Sequence, residues 1–319
     1  MSKRLRGALR TLVDPGTYFQ AVRLLHYYGY SHVQPRKHVT ILLNLFELSS
    51  ISVQDVMVPR ARIHAVDVTE GGIIGDRAYA LIDTADGRVA SAKNPRKWAR
   101  LYECRAEIGD GGQVWITLPD GTIVAADDPG ADETLSAIFG RGIRLASTAT
   151  SPPIIEELWL DGSPDGRPVT DEAIAKGSPP GSFFDFAVVH LVTTATLDRL
   201  SELYPQGQFD PRRFRPNLLV STSEGETGFV ENAWVGRTVA IGDSVRLQVT
   251  DPCPRCVMST LAVEDLPADP GILRTAARHN SLVGGEARGP DGVYAASVGL
   301  YAKVRTGGLV RRGDPVRIL

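Results

Sequence analysis

Cysteine is scarce. Three thiols in 319 residues cannot build a disulfide framework, and their rarity points to a reducing compartment and a cytoplasmic location. No apolar run reaches the ~20 residues that span a bilayer, so no transmembrane segment is expected. Charge of one sign is missing as well: 35 Lys and Arg against 37 Asp and Glu leave a formal net charge of −2. Such a balance gives no whole-molecule attraction to nucleic acid or to an anionic membrane. Internal repeats and low-complexity tracts are absent. What the chain has in plenty is punctuation. Its 32 Gly and 21 Pro interrupt many short apolar segments, the pattern of a β-rich chain with frequent turns. The length suits one large or two modest domains.

Residues 1–55 open with Lys3, Arg4, Arg6 and Arg10 beside Leu5, Leu9, Leu12 and Val13. This reads as a solvated basic helix rather than a transit peptide or a membrane-surface helix, and the segment is left unassigned. IHAVDV then alternates as a half-buried strand does. GGIIGDRAYALID predicts turns at Gly71–Gly72 and Gly75 and a strand over residues 77–83, followed by a hairpin turn at Asp86–Gly87. Lys93, Arg96 and Lys97 form a basic stretch that reads as a solvated loop, with contact to a phosphate or an electron-transfer partner as the alternative. QVWITLPDGTIVAA is a hairpin around Pro119-Asp120-Gly121. Asp132 to Phe139 reads as a helix stopped by Gly140. Residues 147–182 are rich in Ser, Thr, Pro and Gly and are expected to contain a linker, with solvating carboxylates in WLDGSPDGRPVTDEA. FAVVHLVT suits a fully buried strand, with His190 as a hydrogen-bonded core histidine. Thr194 is expected to cap the helix that follows, and Asp269-Pro270 to open another.

The stretch from Phe209 to Thr260 carries the chemistry. It brings Arg212, Arg213 and Arg215 into the neighbourhood of Cys253 and Cys256. A guanidinium grips phosphate through a planar fork, and a thiolate is a soft metal ligand. Together they suggest a cofactor with phosphate at one end and a soft metal at the other. CPRC has three readings: half a zinc site, a redox pair, or one metal ligand with a bystander. Structural zinc needs four ligands, and only Cys104 is left to add. A redox pair expects a helix N-terminus after a strand in an α/β setting, whereas this one leaves a strand in a β-rich context. The single-ligand reading fits best, with Arg255 favouring the Cys256 thiolate and Cys253 structural. Arg212 and Arg213 also read as a surface turn paired with carboxylates. RRFRPN lacks the interleaved aromatics of a nucleic-acid patch. Asp185, Glu231 and Asp251 are candidate proton donors among which sequence does not choose.

FRPN (Phe214–Asn217), the ENAW after it and RCVMST (Arg255–Thr260) resemble, in this order and spacing, the signature of the MOSC domain. The branch they are most similar to contains the mitochondrial amidoxime reducing component and its bacterial relatives. The resemblance implies a mainly β fold with some α: a MOSC β-barrel over residues 165–319, preceded by a smaller β-barrel-like subdomain over 56–146 and a linker over 147–164. It implies a molybdenum-pterin cofactor (molybdopterin), with Cys256 as the molybdenum ligand and catalytic residue. Arg215, Asn217 and Arg255 would hold the pterin and its phosphate, and Arg77 of the GDR turn would reach the same cofactor. Where the family opens with a Pro-Val-Lys-Ser-like turn, this chain has MVPRARIHAVDV, with Arg60 or Arg62 as candidate substitutes. The implied activity is reduction of an N-hydroxylated small molecule of the amidoxime or hydroxylamine type. Electrons would come from a separate ferredoxin, flavin or haem protein, since the chain lacks the Cys spacing of an iron–sulfur cluster. The alternative is a non-catalytic carrier of the molybdenum cofactor or of persulfide sulfur on Cys256. Pyridoxal phosphate binding is an association of the family only.

Overall fold

The computed structural model describes residues 65–109, 112–149, 152–159, 167–283, 293–294 and 296–319. The expectations for residues 1–55 and for Arg60 and Arg62 lie outside the described residues. In chain order, the first elements are strands β1 (Ala65–Thr69), β2 (Gly72–Ile73) and β3 (Ala80–Asp83), then the short helix α1 (Pro95–Trp98). Strands β4 (Arg105–Ile108), β5 (Val114–Thr117) and β6 (Ile123–Ala125) precede helix α2 (Ala131–Phe139) and strands β7 (Ile143–Ala146), β8 (Ile154–Leu158) and β9 (Val169–Ala173). The second half runs through β10 (Val189–Thr193), α3 (Thr194–Leu203), α4 (Pro211–Phe214), β11 (Leu218–Val220), β12 (Thr238–Ile241), β13 (Val245–Pro254) and α5 (Gly271–His279). It closes with β14 (Leu282–Val283), β15 (Val293–Tyr294), β16 (Ser297–Thr306), β17 (Gly308–Arg311) and β18 (Val316–Ile318). The architecture is mainly β.

The main sheet has six strands in the order β11-β10-β16-β13-β12-β18. Only β10 and β11 run parallel, which the α3–α4 crossover between them permits. Every residue of β10 is buried, as its unbroken apolar run demands, while β13 alternates from Val245 to Thr250 and then buries Asp251, Pro252 and Cys253 in succession. Val189, Leu191, Leu247, Val249, Leu300 and Ala302 fill the core beneath it. On its other flank, α3 and α5 bury Leu197, Leu200, Ile272 and Ala276 against Val192 and Val298. Gly299 (φ +80°) allows β16 to approach β10: a Cβ there would collide with the Leu191 carbonyl oxygen and stand 2.7 Å from His190 Nε2.

The cap of α3 is Thr193, not Thr194. Thr193 is still extended (ψ 154°), so its hydroxyl faces the first turn and accepts from the Thr196 amide, while the Thr194 hydroxyl bonds that of Thr222. The earlier part of the chain packs Trp98, Leu118, Leu135 and Ile143 between the β4–β5–β6 sheet, the β3–β7 pair and α2. As expected, α2 ends on Gly140 in the left-handed conformation (φ 65°). β3 begins at Ala80 rather than Arg77, because Arg77 itself has φ 50°. Strands β8 and β9 pair antiparallel, so paired strands occupy part of the Pro- and Gly-rich stretch. β1 pairs with β17 as well as β2, and its Val68 lies in the core of the main sheet. No described helix is long and apolar enough to cross a membrane.

Candidate functional site

The end of β13 sets the position of Cys256. Register slips at Val249/Asp251 and Pro252/Pro254 bend the strand against β16, and Pro254, which has no N–H, closes the ladder. Arg255 holds on by one backbone bond to Ala296 (2.9 Å). Cys256 follows with extended backbone, and its carbonyl starts a short 3-10 turn, Val257–Thr260, by accepting from the Ser259 amide (3.2 Å) and hydroxyl (3.0 Å). Cys256 is half-buried as a residue. Cys253, by contrast, is 1 % exposed and packed against Ala187 and Tyr301. The two cysteines are thus different in kind: one is a core residue and the other is presented at the end of a strand.

Three charged side chains act most strongly on Cys256. Burial pushes its thiol up to about 12, the Lys93 ammonium pulls it back, and Glu157 and Asp185 push it further. Lys93 sits between the two acids, 2.7 Å from Asp185 and 3.4 Å from Glu157. Burial alone would lower the Lys93 pKa, but the attraction of those carboxylates outweighs it, and the ammonium is held charged. Asp185 is also desolvated, yet Lys93, Arg77 and Arg255 bring its carboxyl below the usual range. Glu157 goes the other way, its pKa raised by burial. Lys93 is therefore no solvated loop residue. Lys97 is also paired, with Asp83 (3.0 Å), Asp86 (3.0 Å) and Glu156 (3.3 Å), while Arg96 stays exposed.

The arginines divide into two groups. Arg213 is 2 % exposed and donates to the carbonyls of Gln208 (2.8 Å), Leu261 (3.0 Å) and Pro267 (2.6 Å). It ties three loops together rather than pairing with carboxylates at the surface. Arg212 does pair at the surface, with Asp210 (2.9 Å), Glu264 (2.7 Å) and Asp265 (2.5 Å). Arg255 directs its donors inward: Nε to Val298 O (3.0 Å), Nη1 to Phe214 O (3.1 Å) and Nη2 to Val298 O and the His190 ring. Its guanidinium also lies over the Phe214 ring, 5.5 Å from the centroid.

Arg215 differs from all of these. It is exposed, it caps α4 in the left-handed conformation (φ 53°, ψ 48°), and among the described residues it forms no ion pair with an acid. Its guanidinium lies over the Tyr102 ring, 5.6 Å from the centroid. Arg77 shares the unusual backbone (φ 50°), pairs with Asp76 (2.9 Å) and lies 5.6 Å over the Phe184 ring. Non-glycine residues in that region carry strain that concentrates at functional sites. Asn217 is consumed by the frame: its Oδ1 accepts from the His190 amide (2.8 Å) and its Nδ2 donates to Asp76 (2.7 Å).

His190 is the core histidine expected, held well below its ordinary value by burial and by the Arg255 charge. Of the three acids suggested as proton donors, Asp185 acts on the thiol through its charge. Glu231 is buried and accepts from the hydroxyls of Thr193 (2.6 Å) and Thr196 (2.5 Å), and Asp251 is buried in β13. Sequence reasoning missed Tyr102 and Glu157. Neither belongs to a motif, and only the fold brings them within electrostatic reach of Cys256.

The features that meet here are the Cys256 sulfur, the Lys93 ammonium with its two carboxylates, and a β-rich frame. Residues 180–317 match the model of the MOSC domain. At the level of the family, this domain is associated with the molybdenum cofactor. No curated protein matches the chain. Among solved structures, the crystal structure of YiiM from Geobacillus stearothermophilus is similar at 16 % identity and a TM-score of 0.28, over 42 % of this chain and 54 % of that one. The chain thus spans about half the length of that protein.

Proposed function

We propose that this protein binds a molybdenum-pterin cofactor through Cys256 and reduces N-hydroxylated small molecules of the amidoxime or hydroxylamine type. What carries the proposal is the half-buried Cys256 at the end of β13, with Lys93 acting on its thiol and Tyr102 within electrostatic reach of both that thiol and the exposed Arg215 guanidinium.

The donor chemistry fits such a group. A thiol pushed up to about 12 is protonated at neutral pH, and a bound soft metal would take it as thiolate, releasing the proton. Arg215, with no acid partner among the described residues, is suited to grip the pterin phosphate. Arg77 is the second candidate contact, while Arg255 and Asn217 would serve it from behind by fixing the Phe214–Asn217 turn. When bound, the cofactor would supply the two-electron chemistry that removes oxygen from the substrate. The protein's part is to orient it, to exclude water around Lys93 and Glu157, and to hold a proton. Glu157 Oε, raised by burial, is the group suited to that last task. A separate redox protein would deliver the electrons. The test is reduction of benzamidoxime by cofactor-loaded protein with an artificial electron donor. Turnover that is lost in Cys256→Ala supports the proposal. Retention of the cofactor without turnover in the wild type would make the protein a carrier.

A further inference from the structure

Tyr102 is in none of the motifs, yet it touches both ends of the site. It lies in the 3-10 turn Ala99–Glu103 that follows α1, well apart in sequence from the residues it meets. Its hydroxyl donates to the Met258 carbonyl at 3.2 Å, inside the turn that begins at Cys256. Its ring lies under the Arg215 guanidinium. Burial raises the phenol's pKa, with Arg215 opposing, so the hydroxyl keeps its proton and remains a donor.

Arg215 has reason to need such a support. It is an exposed side chain with several rotatable bonds, and among the described residues no acid holds it. A flexible cation loses entropy when it closes on an anion, whereas one already resting on a ring loses less. The ring's negative face supplies the attraction, and the Met258 bond ties the ring to the segment that carries the thiol.

We propose that Tyr102 is a positioning residue, whose ring holds the Arg215 guanidinium at a set distance from Cys256 so that one ligand meets anion grip and sulfur together. This rests on the proposed anion-binding role of Arg215. The probe is inorganic pyrophosphate, titrated by calorimetry into ligand-free full-length protein, with thermal unfolding run alongside. Tyr102→Phe keeps the ring but releases the hydroxyl's bond to Met258, and is expected to weaken binding about two- to threefold. Replacement of Tyr102 by pentafluorophenylalanine keeps the shape but reverses the ring's charge distribution, and is expected to weaken binding roughly five- to tenfold at unchanged unfolding temperature. Tyr102→Leu is expected to weaken it at least as much. If Arg215→Ala abolishes binding while the pentafluoro and Leu variants bind like wild type, Tyr102 does not position Arg215 and the inference fails. If Arg215→Ala leaves pyrophosphate binding unchanged, or wild type does not bind it, the anion role of Arg215 fails as well, and the inference with it.

Discussion

The orientation of Arg255 gives the sharpest stability prediction. If its guanidinium faced a ligand, removing it would weaken binding and leave the ligand-free protein intact. In the structure it instead joins the Phe214 carbonyl (3.1 Å) to the Val298 carbonyl (3.0 Å) and packs on the Phe214 ring. Arg255→Met keeps the apolar stem and removes the donors. Hydrogen bonds from a charged group are worth about 1.5–3 kcal/mol each, and the ring contact adds ~0.5–1 kcal/mol. The sum overstates the loss, because two of the Arg255 bonds end on the same Val298 carbonyl oxygen and shared partners do not add. We expect a net destabilisation of about 3 kcal/mol, or a fall in Tm of roughly 6–12 °C for a domain of this size. Urea unfolding of ligand-free wild type and Arg255→Met measures it. A difference within ~0.5 kcal/mol would refute the reasoning and return Arg255 to the ligand-facing role.

Gly299→Ala places a Cβ against the Leu191 carbonyl at φ +80°. It should cost about 3 kcal/mol or more, and the soluble yield and Tm of the purified variant check it. His190 is held well below its ordinary 6.5 by burial and Arg255, so the unfolded chain takes up the proton first. Its contribution to stability is therefore complete above pH 6.5 and lost as pH falls toward the folded-state value, at up to ~1.4 kcal/mol per pH unit. Denaturation curves between pH 7 and 5 should show a slope that flattens in His190→Gln. Cys253→Ser buries a hydroxyl in a site 1 % exposed and should cost ~1–2 kcal/mol. Cys256→Ser, at a partly exposed position, should stay within ~0.5 kcal/mol of wild type in the ligand-free protein. Chemical denaturation of the two variants side by side separates them.

Much of the frame was legible in the sequence because period and punctuation agreed there. FAVVHLVT became the fully buried β10, Gly140 stopped α2, and the Pro119-Asp120-Gly121 hairpin formed as β5 and β6. The stretch expected to be a linker was harder. Its Pro and Gly flanks masked the pairing of β8 with β9, since strand pairing is a non-local property. The same limit applies to the site. Cys256 and Arg215 stand out in motifs, but whether an Arg faces solvent, a carboxylate or three carbonyls depends on partners distant in sequence, so Arg212, Arg213, Arg215 and Arg255 look alike until folded. Lys93 read as solvated because its partners Glu157 and Asp185 lie in other segments. Tyr102 gave no signal at all.

The central claim is that Cys256 and Arg215 serve one ligand. The most direct measurement is the molybdenum and pterin content of protein expressed in cells that make the cofactor, for wild type, Cys256→Ala and Arg215→Ala, with X-ray absorption at the molybdenum edge on the wild type. The account predicts about one molybdenum and one pterin per chain, a protein sulfur on the metal that is missing in Cys256→Ala, and reduced pterin in Arg215→Ala. Wild-type protein free of molybdenum, or a metal–sulfur signature unchanged in Cys256→Ala, would contradict it.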